Sequence, residues 1–123
     1  MRIAVIEDER PIREGLVHIL NKISPEYQVV GSAENGREGL ILLEEQDPDL
    51  ILLDIQMPDM NGLQMLKEAR ERGSMTKVVI LTAYSDFDYA KKAIALGIEN
   101  YLLKPVNLTE LKNTLSKIKE EIF

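Results

Sequence analysis

The chain contains no cysteine, so it has neither a disulfide framework nor a thiolate metal site. That absence fits a cytosolic protein. No apolar run approaches the roughly 20 residues that a membrane-spanning helix needs, so no membrane contact is expected. Positive charge is not in excess either, since 15 Lys and Arg against 21 Asp and Glu leave a formal charge of −6. Nucleic-acid binding begins with a basic face, whereas the basic residues here are scattered along the chain. Direct DNA binding by this segment is therefore not expected. The opening, Met1 to Asp8, turns acidic too soon for a secretory signal. No repeat, low-complexity tract or linker interrupts the pattern, so the whole of 1–123 reads as a single domain.

What is present is a core. A chain of 123 residues that is 45% hydrophobic and 29% charged suits one ordinary globular domain. Short apolar runs at Ile3–Ile6, Tyr27–Ala33, Leu50–Leu53, Val78–Leu81 and Asn100–Leu103 alternate with amphipathic stretches. Most are continuous and rich in Val, Ile and Leu, as parallel strands covered on both faces should be. Helical spacing marks Ile12, Leu16, Ile19, Leu20 and Ile23, then Leu63, Leu66 and Ala69. The last helix is traced by Leu108, Leu111, Leu115, Ile118 and Ile122, and Asn107 with Glu110 forms a capping-box pattern at its start. Gly73 and Gly97 fall where the third and fourth helices should end. On the fourth helix, Phe87, Ala90 and Ile94 form the expected core-facing stripe, with Tyr89 and Lys92 towards the other face.

Five strands alternating with five helices predict an α/β doubly wound sheet, parallel throughout, with helices on both faces. The expected strand order is 2-1-3-4-5, with its topological switch between strands one and three. Ligands in such sheets bind beside the carboxyl ends of the strands at the switch. Strand one ends in Glu7-Asp8 and strand three in Asp54, so three carboxylates converge there. Packed like charges call for a cation, and a hard divalent ion with oxygen ligands is the natural one. Strand four ends in Thr82 and strand five in Lys104. Acids, a hydroxyl and an ammonium on one edge suit a phosphoryl group held between a metal and a lysine. Any one of these residues alone reads as a turn former, a cap or a loop residue. Their joint arrival on one edge carries the inference.

At these residues the sequence resembles the receiver domains of bacterial response regulators, over essentially its whole length. The segment Asp54-Ile55-Gln56-Met57-Pro58-Asp59-Met60-Asn61-Gly62 matches the family pattern D-x-x-M-P-x-M-x-G. Glu7-Asp8, Thr82-Ala83 and Tyr101-Leu102-Leu103-Lys104-Pro105 match its other signatures in the same order. The resemblance implies a flavodoxin-like (βα)5 sandwich in which Asp54 accepts a phosphoryl group from a sensor histidine kinase. It implies Mg2+ as the cofactor, with Mn2+ as a substitute. Asp8, Asp54 and the main-chain carbonyl of Gln56 would be ligands, and Glu7 would act through a water. The first acid is Glu7 where many members carry Asp.

The resemblance further implies that Lys104 pairs with the phosphoryl oxygens and that Thr82 hydrogen-bonds them. It makes Tyr101 the switch aromatic, although a tyrosine at a strand end is ordinarily a half-buried core neighbour. Lys104-Pro105 is expected to be cis, which only an X-Pro bond adopts at small cost. The stretch Tyr84-Ser85-Asp86-Phe87-Asp88-Tyr89-Ala90 is similar to receivers joined to AraC-type DNA-binding domains. The chain thus reads as a piece of such a regulator or, alternatively, as a natural single-domain protein. The expected protein is cytoplasmic. It would switch through the helix four–strand five–helix five face, forming a homodimer or controlling a transcriptional output. DNA would be bound only by an effector domain outside this chain.

Such a protein modifies itself and turns over no substrate. Three rivals share parts of the pattern. A haloacid-dehalogenase-type phosphatase pairs its nucleophile with an acid two residues on, where this chain has Gln56. A flavodoxin-like cofactor carrier would need a phosphate loop where Glu7-Asp8-Glu9 repels phosphate. A non-phosphorylated docking module usually loses the acceptor or the lysine, and this chain keeps both. His18, the sole histidine, lies in the first helix and reads as a surface or core-flanking residue.

Overall fold

A computed structural model describes residues 1–83 and 87–122, apart from the side chains of Phe87 and Ala90. Strands β1 (Arg2–Ile6), β2 (Gln28–Ala33), β3 (Leu50–Asp54), β4 (Lys77–Thr82) and β5 (Asn100–Leu103) alternate with five helices. The helices are α1 (Arg10–Ile23), α2 (Gly36–Gln46), α3 (Gly62–Glu71), α4 (Phe87–Ala95) and α5 (Leu108–Ile122). The strands form one parallel sheet in the order β2-β1-β3-β4-β5, which is the expected doubly wound architecture.

Strand periodicity explains how one sheet feeds two cores. Successive side chains point to opposite faces, so Ile3, Val5, Leu50, Leu52, Val79 and Leu81 join Leu16 and Leu20 of α1 with Leu111, Leu115 and Ile118 of α5. The intervening Ala4, Ile6, Ile51, Leu53, Val78 and Ile80 join Leu40, Leu43, Leu63, Leu66 and Ala69 from α2 and α3. Burial on both faces is why these strands read as unbroken apolar runs.

Both predicted glycine stops hold. Gly73 has φ of 91° and Gly97 of 78°, a left-handed conformation that costs glycine little. Asn107 caps α5 through the Glu110 amide at 3.0 Å. A complete capping box stands at α3 instead, where Asn61 Oδ1 accepts from the Gln64 amide and Gln64 Oε1 accepts from the Asn61 amide, both at 2.9 Å. Asn61→Ala should cost about 1 kcal/mol, read as a lower urea midpoint with an unchanged slope.

Helix α4 corrects one expectation. Ile94 is 67% exposed, while the neighbouring Ala93 is fully buried. Tyr89, placed by sequence on the outer face, instead flanks the core on the α2–α3 side. Ala93 rather than Ile94 therefore seats this part of the helix, and the side chains of Phe87 and Ala90, the other two members of the expected stripe, lie outside the described residues. Lys92 is exposed as expected. Residues 84–86 of the stretch similar to AraC-linked receivers lie outside the described residues.

Candidate functional site

The site lies where β1, β3, β4 and β5 end. Register brings Asp54 opposite Leu81 and Thr82 opposite Leu103, so Asp54 and Thr82 are the last residues of adjacent strands. Glu7 follows β1, and its amide donates to the Ala33 carbonyl at 3.0 Å. The Lys104 amide donates to the Thr82 carbonyl at 2.7 Å, which sets the lysine beside β4. The Lys104–Pro105 bond is cis. After β3, the chain turns sharply, because the Gly62 amide donates to the Ile55 carbonyl at 2.9 Å.

Glu7, Asp8 and Asp54 each offer an oxygen, and these all lie within 4.8 Å of one another. Glu7 is fully buried, Asp54 is 3% exposed and Thr82 is 1% exposed. Lys104 Nζ donates to Glu7 Oε1 at 2.5 Å and lies 3.4 Å from Asp54 Oδ2. Asp54 Oδ1 accepts from the Gln56 amide at 3.2 Å. Thr82 is not free of partners. Tyr101 is half-buried against the α2–α3 core. His18 is exposed on α1.

Electrostatics follow from crowding in a dry site. Burial, then the hydrogen bond and charge of Glu7, raise the Asp54 carboxyl from 3.8 to about 6. Burial and the neighbouring Asp54 also raise Asp8. Burial pulls Lys104 down, but Glu7 and Asp54 outweigh it and leave the ammonium above its ordinary value.

A divalent cation is chemically suited to this cluster. Glu7 Oε2 and Asp8 Oδ1 are buried without a hydrogen-bond partner among the described residues, a costly state for carboxylate oxygens. Three carboxylates and one ammonium sum to −2 when ionised, the charge that one dication offsets. The donors are all oxygen, as hard cations prefer.

Beside the cluster, a cavity of about 400 Å³ is lined by Glu9, Ile12, Asp54, Gln56, Ala83, Lys104 and Pro105. It gives an incoming group direct access to Asp54. Sequence reasoning missed Arg13, whose guanidinium donates to the Glu7 carbonyl at 2.8 Å and braces the β1–α1 turn. A basic residue one turn into the helix after an acidic strand end was its only signal.

Comparisons with known proteins agree with this geometry. The model of the response regulator receiver domain matches residues 3–116. The transcriptional regulatory protein YdfI of Bacillus subtilis is 35% identical over 114 residues, covering 93% of this chain and 53% of that protein. The uncharacterized transcriptional regulatory protein YesN of the same organism is 31% identical over 121 residues, covering 98% of this chain and 33% of that protein. The chain thus spans about half, or less, of the length of these relatives. Among solved structures, the REC domain of AraT, a response regulator from Geobacillus stearothermophilus, superposes with a TM-score of 0.86 at 35% identity. That match covers 98% of this chain and 94% of the other. With the sheet order and the family model in agreement, the chain belongs to the receiver-domain family of two-component response regulators, which act as signalling switches.

Proposed function

We propose that Asp54 accepts a phosphoryl group from the phosphohistidine of a sensor histidine kinase, in a reaction the domain itself promotes. The observation that carries this reading is the placement of Asp54. It is a nearly buried carboxylate at a strand end, open to a cavity, with Lys104 Nζ at 3.4 Å and two further acids in the same cluster. In the transfer, an Asp54 oxygen forms a bond to phosphorus as the bond from phosphorus to the histidine nitrogen breaks. The product is an acyl phosphate, and the histidine leaves as the neutral ring after taking up a proton.

Asp8, Asp54 and the Gln56 carbonyl would hold Mg2+, or Mn2+ in its place, with Glu7 acting through a water. The bound ion supplies charge neutralisation between Asp54 and the incoming phosphoryl oxygens. Lys104 spreads the charge that develops on those oxygens, and Thr82 donates to them once they arrive. Tyr101 then repacks, shifting the population of a two-state element rather than creating a new one.

The face formed by α4, β5 and α5 carries the output in this reading. It exposes Ile94 and Leu103, apolar side chains suited to a homodimer or an effector contact. The output would be transcriptional and cytoplasmic, through an effector segment of AraC type outside this sequence. Residues 1–123 would be the single receiver domain of that regulator.

Intact mass after incubation with acetyl phosphate and Mg2+ tests the acceptor. One phosphoryl adduct is expected, dependent on Mg2+ and absent from Asp54→Asn. No adduct, under conditions that modify another receiver, points to a non-phosphorylated docking module. An adduct that persists in Asp54→Asn means another acceptor. Sedimentation of the modified protein tests the output face, and unchanged self-association together with unchanged partner affinity rejects it.

A further inference from the structure

Lys104 is expected beside the phosphoryl acceptor, yet its ammonium is shared, and Glu7 is the closer of its two partners. Its contact with Glu7 Oε1 is 2.5 Å, a short charge-assisted hydrogen bond, whereas its ion pair with Asp54 Oδ2 is longer, at 3.4 Å. The two partners come from distant places. Glu7 directly follows β1 and Lys104 directly follows β5, with β3 and β4 between those strands in the sheet. The lysine therefore reaches across the acceptor strand to find the glutamate.

Burial explains the preference. Glu7 is fully buried, and among the described residues its second oxygen has no hydrogen-bond partner. A dry carboxylate requires a counter-charge, and Lys104 supplies it from a side chain 13% exposed. Asp54 has a further donor in the Gln56 amide. Side-chain length matters as well, because an aspartate here would be shorter by one methylene, about 1.5 Å. The glutamate at this position brings its carboxylate to the ammonium.

On the reading that this cluster takes a divalent cation and Asp54 the phosphoryl group, we propose that Glu7 is a positioning residue for Lys104. It holds the ammonium off Asp54 until its own carboxylate turns to a cation. Cation occupancy and release of Lys104 towards Asp54 are then one coupled event. The lysine becomes available to phosphoryl oxygens only in the cation-loaded site, and the metal-free domain is held in a form poorly equipped for transfer.

Mg2+ affinity measured by calorimetry on wild type, Lys104→Gln, Glu7→Gln and the double variant tests the coupling, with circular dichroism confirming each fold. With Glu7 present, Lys104→Gln should tighten Mg2+ binding by about tenfold, because the competitor for Glu7 is gone. With Glu7→Gln, the same change should tighten it by less than about twofold. Should Glu7→Gln misfold or bind too weakly to measure, Glu7→Asp replaces it. The Lys104→Gln gain must shrink there too, since the charge remains but the reach does not. Equal gains in both backgrounds overturn the proposal, for Lys104 would then act on the ion by simple repulsion. Absence of Mg2+ binding in wild type under conditions where the fold is intact removes the cation reading itself, a separate failure.

Discussion

Without divalent cation, at about pH 8, Asp54→Asn is expected to unfold at a higher temperature than the wild type. The cause is the raised Asp54 carboxyl, shifted from 3.8 to about 6 chiefly by burial and then by Glu7. A carboxyl whose value is higher in the folded state binds its proton more tightly there than in the unfolded chain. Its neutral form is accommodated fully below about pH 4. Stability is then lost as pH rises towards about 6, and above that the whole cost stands. The shift corresponds to a cost on the order of 3 kcal/mol for the ionised site. Asparagine keeps the shape and cannot ionise, so most of that cost disappears. For a domain of this size the gain should reach on the order of 10 °C.

Lys104 is not stranded by the substitution, because its short contact is to Glu7. The wild-type and variant melting curves should converge as pH falls to about 4, where Asp54 becomes neutral in both folded and unfolded wild type. Mg2+ should raise the wild type by about 3 kcal/mol at a hundredfold excess over its dissociation constant. The variant should gain less, having lost one of the three clustered carboxylates. Differential scanning calorimetry across pH, with and without Mg2+, reads all of this. A variant that melts lower than wild type at every pH would show that the acid cluster is not under electrostatic strain.

Much of this arrangement was legible because strands buried on both faces announce themselves as apolar runs. Asn100–Leu103 is bounded to the residue, β1, β2 and β3 differ from their predicted limits by one residue at one end, and β4 by one residue at each end. Tyr27, read as the start of the second strand, is buried just before it. The strand-end acids, Thr82 and Lys104 could be placed on one edge because parallel topology leaves few alternatives. Contacts made by side-chain reach were not legible. Glu7 and Lys104 are 97 positions apart, and no periodicity says which of two nearby carboxylates an ammonium will choose.

Arg13 escaped notice for a related reason. Its bonds go to backbone carbonyls, which carry no signature in the sequence. On α4, hydrophobicity misdirected the reading. Ile94 outranks Ala93 as an apolar residue, yet Ala93 is fully buried and Ile94 stands mostly in solvent.

Gly62→Ala, at the first residue of α3, is expected to be strongly damaging. A Cβ at Gly62 would stand 2.3 Å from the Asp54 carbonyl oxygen and 2.9 Å from Ile55 Cα. Both are backbone atoms, so no side chain can rotate away to make room. The first turn of α3 rests directly on the end of β3, and the Gly62 amide donates to the Ile55 carbonyl in the same turn. One methyl group must therefore lift α3 or displace Asp54. Overfilling of this kind costs about 3 kcal/mol when the neighbours are rigid. The damage should extend to the acid cluster, because the backbone that moves is that of Asp54. Mg2+ affinity should fall together with the urea midpoint. Gly15→Ala on α1 is the control, since a Cβ there meets nothing within 4 Å. Alanine favours a helix interior by about 1 kcal/mol over glycine, so this variant should be as stable as wild type or more so. If Gly62→Ala leaves both the midpoint and Mg2+ affinity unchanged, the tight seat of α3 on the acceptor strand is not what positions Asp54.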